Sequence, residues 1–418
     1  MIEIKPLKNC DAKLTIPGSK SYTHRAILIS SLSKGESILI NPLQCLDTEY
    51  TIQGLRKFGI KIYTKEDRIY IQGNGGEFNG NEEEKIFVGD SGTTMRFLTA
   101  FSSLKKGKTF LDGSKRMRKR PIGELLNGLR MLGISAYCRG GYPPVLIDSD
   151  GLKGGKVEIK GNESSQFLSS LLMIAPYAKE DVLIEVKGNL SSKPYIDITC
   201  DVMSAFGVEV KTLGNNQFFV RGGQKYSPRI YHIEPDASNA SYFFSAAAIT
   251  HGRVRVENLR RDSLQGDIRF LDILKRMGCM VTWGENWVEV LGNKLVGIEI
   301  DMNEMPDLVP TLAVTSAFAQ GKTVIKNIGH LRLKESDRIH ALAKELIKIG
   351  IHVEEGEDWL KVEGGRAHGA EIETYNDHRI AMSFAVAGLC VSGVKIKEEQ
   401  CVNKSFPKFW ETFQKLYK

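Results

Sequence analysis

Leu55-Arg-Lys-Phe-Gly59-Ile-Lys-Ile, Leu129-Arg-Met-Leu-Gly133-Ile, Met203-Ser-Ala-Phe-Gly207-Val-Glu-Val, Leu274-Lys-Arg-Met-Gly278 and Leu346-Ile-Lys-Ile-Gly350-Ile-His-Val are five versions of one phrase. Each closes an amphipathic pattern with glycine and runs on into a strand-like stretch, and the glycines stand 74, 74, 71 and 72 residues apart. Glycine suits the residue just past a helix C-terminus, where the left-handed conformation costs it least. A second feature repeats in phase: an Ala/Ser/Leu-rich helix, a polar turn and an apolar strand, turning at Gly35, Gly107, Glu180, Gly252, Gly321 and Gly393. The chain therefore reads as one βαβ-type unit used six times, its hydrophobic period switching between helix and strand.

The helix of the sixth copy, Phe406 to Tyr417, has no strand after it, so Ile2 to Ile16 is expected to supply one and to bring both termini into one domain. An open solenoid fits poorly with so long a unit, with terminal copies that lack polar caps, and with closure by a borrowed strand. Three units per domain give two domains of ordinary size. The expected division is 21–233 against 1–20 plus 234–418, with the active site in the cleft between them.

Composition narrows the function classes. The 42% hydrophobic and 26% charged content is that of a globular protein, and a net charge of +7 on 418 residues suits anionic ligands without implying nucleic acid. Seven scattered cysteines without a CxxC pair read as reduced thiols of a cytosolic protein. Met1 to Lys5 does not open a signal peptide, and the longest uncharged stretch, Ile380 to Val394, is too short to span a bilayer. A cytoplasmic monomer without membrane or nucleic-acid partners is expected.

Four clusters interrupt the repeat. Pro17-Gly-Ser-Lys20-Ser21-Tyr-Thr-His-Arg25 and Gly89-Asp-Ser-Gly92-Thr-Thr-Met-Arg96 open helices with glycine and hydroxyl residues, which suits an anion and equally suits a plain N-cap. Lys115-Arg-Met-Arg-Lys-Arg120-Pro121 packs five basic residues into six; one inward arginine, Arg120, is expected, with Pro121 at the first helical position and the remainder solvated. Leu331-Arg-Leu-Lys334-Glu335-Ser-Asp-Arg338 sets Lys334 and Arg338 one helical turn apart. Tyr375-Asn-Asp-His-Arg379 precedes an expected helix Ile380 to Cys390, Asn403-Lys404-Ser-Phe-Pro407 opens the last helix, and Asp307 sits in an apolar stretch where an unpaired carboxylate would be costly. Cations outnumber carboxylates at these turns, and no GxGxxG, GxSxG, HExxH or Cys/His metal set is present. The expected chemistry is acid/base and electrostatic, on polyanionic small molecules, with no metal and no cofactor.

In order along the chain, PGSKS, GDSGTTMR, RMRKRPIGEL, SSQFLSSLL, SKPYIDIT, EPDASNASYF, QGDIRF, MPDLVPTLA, LKESDR, YNDHRIAM and NKSFP resemble the motifs of 5-enolpyruvylshikimate-3-phosphate synthases. The resemblance runs from Pro17 to Pro407. It implies an α/β fold, a two-domain inside-out α/β barrel with three copies of the unit per domain. It also implies transfer of the enolpyruvyl group of phosphoenolpyruvate to the 5-hydroxyl of shikimate 3-phosphate, through a tetrahedral intermediate, on the pathway to chorismate and the aromatic amino acids.

Carried over by motif, Lys20, Ser21, Arg25, Ser164, Ser165, Gln166, Ser192, Asp307, His330 and Lys334 would hold shikimate 3-phosphate, with Tyr195 nearby. Lys20, Gly92, Arg120, Gln166, Arg338, Arg379 and Lys404 would hold phosphoenolpyruvate. Asp307 resembles the proton acceptor and Glu335 the donor, with Lys20 and Lys334 stabilising charge. Two departures stand out: His330 replaces an asparagine common in the family, which implies an altered or pH-sensitive contact, and Asp90 and Phe97 replace the usual asparagine and proline. Enolpyruvyl transfer to UDP-N-acetylglucosamine and a non-catalytic RNA-binding role are the rival readings; against the former, the shikimate-type SKS, SSQ, SKPY and NDHR signatures are all present in this chain, and the latter leaves Asp307 and Glu335 unexplained.

Overall fold

All five phrase-ending glycines have positive φ, from +80° at Gly59 to +116° at Gly278. The N–H groups of Gly59 and Ile60 donate back to the carbonyls of Arg56 and Leu55, and the same two bonds recur at Gly133, Gly207, Gly278 and Gly350. This is the Schellman closure, in which a left-handed residue satisfies helix carbonyls that would otherwise lack donors. The computed structural model from which these features come describes residues 1–78, 83–214 and 216–417.

Each copy builds one small sheet to a common plan. In the second copy Glu84–Phe87 runs parallel to Gly107–Asp112, Tyr142–Ser149 lies antiparallel beside that strand, and Ser135–Arg139 forms the edge. Thr109, Leu111, Val145 and Ile147 are buried and alternate with more exposed neighbours, the period-2 pattern of a sheet covered on one face. Five sheets have four strands, and the sixth has three among the described residues.

The chain divides into two units, Gly18–Ile233 and Met1–Pro17 with Glu234–Lys418. The boundary lies at Pro17/Gly18, three residues earlier than the expected Lys20/Ser21. A Cβ on Gly18 would stand 1.9 Å from the Asn41 carbonyl oxygen and 3.1 Å from Ile233, so Gly18 already packs within the Gly18–Ile233 unit.

First strands are exchanged along the chain. Ile230–His232, just before the fourth copy, pairs parallel with Lys34–Ile40 of the first. Asp11–Thr15, just before the first copy, pairs parallel with Arg253–Glu257 of the fourth. The borrowed strand of the sixth sheet is Ile2–Glu3 alone, antiparallel to Lys395–Ile396. The expected single segment Ile2 to Ile16 is thus two strands in two sheets, broken around Pro6, which has no N–H to extend a ladder.

In each unit the helix after each first strand is buried on nearly all sides. In one these are Lys20–Leu32, Gly92–Ser102 and Ser165–Ile174; in the other Ala237–Thr250, Val309–Ser316 and His378–Ala387. Small and hydroxyl residues let the latter set approach closely: Ser245 pairs with Thr315 at 2.5 Å and Ser241 with Thr311 at 3.3 Å. Each unit therefore has its own core, with helices inside and sheets outside. The last helix is Phe409–Phe413 followed by a 3-10 turn Gln414–Tyr417, shorter than expected because Pro407 precedes it. Among the described residues no helix is long and apolar enough to cross a membrane, and no group of three or more His, Cys, Asp or Glu could hold a metal ion.

A Cβ on Gly59 would meet nothing within 4 Å, whereas one on Gly278 would stand 2.6 Å from the Lys294 carbonyl oxygen. Gly59→Ala is expected to cost about 1 kcal/mol, the left-handed penalty alone. Gly278→Ala is expected to cost clearly more; urea unfolding of the two variants side by side checks the order.

Candidate active site

In the Gly18–Ile233 unit the candidate residues gather at the N-termini of the three buried helices. Lys20 is the first residue of its helix, and its ammonium lies 3.1 Å from the buried Asp47 carboxylate. Arg25, one turn on, is buried among neutral oxygens: Thr199 Oγ1 at 2.7 Å, Ser169 Oγ at 3.1 Å, and the Ser21 and Tyr195 carbonyls at 2.9 and 3.0 Å. Burial there pulls the guanidinium down to about 10. Such a cation is short of negative charge, and an anion would stabilise it.

Gly92 opens the second of these helices, with Ser91 as its cap. A Cβ at Gly92 would sit 2.5 Å from both Arg120 Nη2 and Arg96 Nη1, so the missing side chain makes room for the two guanidinium groups. Of the five basic residues in 115–120 only Arg120 is buried, and it donates to the Asp90 carbonyl at 3.2 Å. Ser164 caps the third helix and accepts from the Gln166 N–H at 3.3 Å, while Gln166 Nε2 donates to Thr93 Oγ1 at 3.0 Å. Ser165 and Ser192 are buried, Ser192 with φ +59°, and the Tyr195 N–H donates to the Ser192 carbonyl.

The other unit centres on Arg338, 1% exposed. Its Nε donates to Asp377 Oδ2 at 2.8 Å, Nη1 to Asp307 Oδ1 at 3.1 Å, and Nη2 to Glu335 Oε2 at 3.0 Å. Burial opposes its charge, but the three carboxylates outweigh this and hold the guanidinium above its ordinary value. Arg379 Nη2 donates to Asp307 Oδ2 at 2.7 Å, and Lys404 Nζ lies 3.7 Å from Glu335 Oε1. Three carboxylates and three cations thus form one network, and Asp307 is not the unpaired charge that its apolar sequence context suggested. Phe406 and Phe409, packed against Phe243, fix the chain that follows Lys404.

Several local expectations are corrected. Pro121 precedes the helix Gly123–Met131, whose cap is Ile122. Lys334 and Arg338 do not share a helix: Lys334 ends the 3-10 turn Gly329–Leu333, whereas Arg338 begins a new helix capped by Asp337. The expected helix Ile380 to Cys390 is His378–Ala387, capped by Asp377. His330 is no switch near neutrality, because burial and then the neighbouring Lys334 charge push it down to about 4. Sequence reasoning missed Asp47, Thr93, Ser169, Thr199 and Asp377 as partners. Asp377 alone carried a signal, as an acidic residue before a helix, and that signal says cap, not ion pair.

A family model described as EPSP synthase (3-phosphoshikimate 1-carboxyvinyltransferase) matches residues 4–413. The 3-phosphoshikimate 1-carboxyvinyltransferase of Nostoc punctiforme is 48% identical over 418 residues, 99% of this chain and 98% of that protein. The Pasteurella multocida protein of the same name is 44% identical, covering 99% and 97%. Among solved structures, EPSP synthase from Acinetobacter baumannii superposes with TM-score 0.82 at 30% identity, covering 99% of this chain and 97% of that one. The enolpyruvyl transferase NikO from Streptomyces tendae, at TM-score 0.79 and 16% identity, shares the fold. With the motif order, the sixfold plan and these matches in agreement, the chain belongs to the EPSP synthase (3-phosphoshikimate 1-carboxyvinyltransferase) family.

Proposed function

We propose that the candidate residues described above serve a single reaction. The chain transfers the enolpyruvyl group of phosphoenolpyruvate to shikimate 3-phosphate, a step of the shikimate pathway to chorismate and the aromatic amino acids. One observation carries the assignment of roles: Asp307 and Glu335 are bridged by the same buried guanidinium, Arg338, and flanked by Arg379 and Lys404. Two carboxylates are thereby set close together among cations suited to an anionic substrate.

In this reading Lys20, Ser21, Arg25, Ser164, Ser165, Gln166, Ser192, His330 and Lys334 bind shikimate 3-phosphate. Lys20, Gly92, Arg120, Gln166, Arg338, Arg379 and Lys404 bind phosphoenolpyruvate. Asp307 takes the proton of the 5-hydroxyl as its oxygen bonds to C2 of phosphoenolpyruvate, and Glu335 gives a proton to C3, forming a tetrahedral ketal. Phosphate then leaves C2 and a methyl proton returns to the enzyme, regenerating the vinyl group. Lys20 and Lys334 offset the charge that develops.

Arg338 and Arg379 both donate to Asp307, so an anionic substrate that draws on these two arginines also changes the surroundings of that carboxylate. We further infer a cytoplasmic monomer acting without nucleic-acid or membrane partners. The mild +7 net charge supports the part of this reading that concerns nucleic acid.

The direct test is phosphate release from phosphoenolpyruvate by purified protein without added metal. Release with shikimate 3-phosphate but not with UDP-N-acetylglucosamine is expected; the reverse pattern would move the acceptor assignment to the nucleotide sugar. Asp307→Asn and Glu335→Gln should each lower kcat by about 10²–10⁴, with KM values little changed, and near-normal turnover in steady-state assays would remove that residue from proton transfer. His330 gives a stability prediction. The folded chain keeps it neutral down to about pH 4, whereas the unfolded chain protonates it below roughly 6.5, so stability falls as pH drops through that window. His330→Asn should flatten this part of the acid slope in urea midpoints measured from pH 7 to 4.

A further inference from the structure

Glu345 stands two turns along from Arg338 on the helix Arg338–Lys348 and is fully buried. Its Oε1 accepts the Tyr375 hydroxyl at 2.7 Å, and its Oε2 accepts the Glu373 N–H at 3.1 Å and the Lys348 ammonium. Lys348 also donates to the Glu371 carbonyl at 3.1 Å. A buried carboxylate is costly unless its oxygens are fully engaged, and here the partners other than Lys348 lie on one segment, residues 371–375.

That segment runs directly into Asn376-Asp377-His378-Arg379. Tyr375 and Asn376 have φ of +54° and +53°, consecutive left-handed residues without glycine. Such backbone persists only where its surroundings over-determine it. The helix Arg338–Lys348 grips the turn at two points: Glu345 holds Tyr375 and Glu373 before it, and Arg338 holds Asp377 after it. Asp377 in turn accepts the Arg379 N–H at 3.0 Å. Release of the Glu345 end would let the turn relax and move Asp377 together with both arginines.

We propose that Glu345 is a positioning residue for phosphoenolpyruvate recognition, fixing the Tyr375–Asn376 turn and through it the placement of Arg338 and Arg379. The proposal rests on the reading that these two arginines hold phosphoenolpyruvate. Burial, with the Glu345 carboxylate beside it, raises the Tyr375 phenol above its ordinary value, so Tyr375 stays a donor.

Tyr375→Phe removes the hydroxyl and leaves the ring in place. It should raise KM for phosphoenolpyruvate roughly tenfold while changing KM for shikimate 3-phosphate by less than about twofold. Glu345→Gln keeps an acceptor oxygen and should recover most of the affinity lost in Glu345→Ala; should the alanine variant fail to fold, Tyr375→Phe carries the test. A lowered Tm with neither KM changed, or with both raised equally, overturns the proposal. Arg379→Gln, assayed alongside, separates the two levels. If it raises KM for phosphoenolpyruvate and Tyr375→Phe does not, the positioning role fails and the site stands. If Arg379→Gln leaves that KM unchanged, the site assignment fails and the positioning role with it.

Discussion

A helix buried on every side can meet a polar ligand only at its ends. Six helices of this chain are in that position, and the candidate site residues collect at their N-termini: Lys20, Gly92 and Ser165 open three of them, Asp307 lies just before Val309–Ser316, and Asp377 and Arg379 begin His378–Ala387. Ala237–Thr250 is the exception that supplies a supporting group instead, the Tyr242 hydroxyl facing Arg379 at 3.4 Å. N-termini carry the positive end of the helix dipole, so the packing that forms each core also gathers a field suited to anions. Fold and chemistry are in this sense one constraint.

The two cation sets are stabilised differently. Arg25 rests among neutral oxygens, so its charge remains available to a ligand. Arg338 and Arg379 are pinned by carboxylates, which set their geometry before any substrate arrives. Close to that network lies Asp267, pushed up to about 7 by burial and then by the charge of Asp307, with Ser238 donating to it. It holds its proton through the acid range and so spares the network a further negative charge.

The repeat was legible because it is written locally: glycine at the same offset in five phrases, each closing a helix by the same pair of hydrogen bonds. The inward Arg120 was legible too, since only one of five adjacent basic residues could turn into the core. What stayed hidden was pairing at a distance. Nothing near Lys20 names Asp47, and nothing near Arg338 names Asp307 or Asp377, because those contacts exist only once separate copies pack together. Local reading also erred where charge spacing imitated a helix: residues 334–338 carry the i, i+4 pattern, yet Asp337 caps a helix that starts after Lys334. The exchange of first strands was legible only in part: the missing strand of the sixth copy pointed to Ile2 to Ile16 as a borrowed segment, but nothing local shows that Asp11–Thr15 pairs with Arg253–Glu257 or Ile230–His232 with Lys34–Ile40.

That exchange bears on how the chain matures during synthesis. Asp11 is made 242 residues before its partner Arg253, and the partner of Ile2 is Ile396. At about 5–20 residues per second the N-terminal strands wait some tens of seconds on the ribosome before their first ladder can form. Through that interval the segment exposes open strand edges, and the charges that alternate with its apolar residues, Glu3, Lys5, Lys8, Asp11 and Lys13, keep it from pairing with the wrong neighbour.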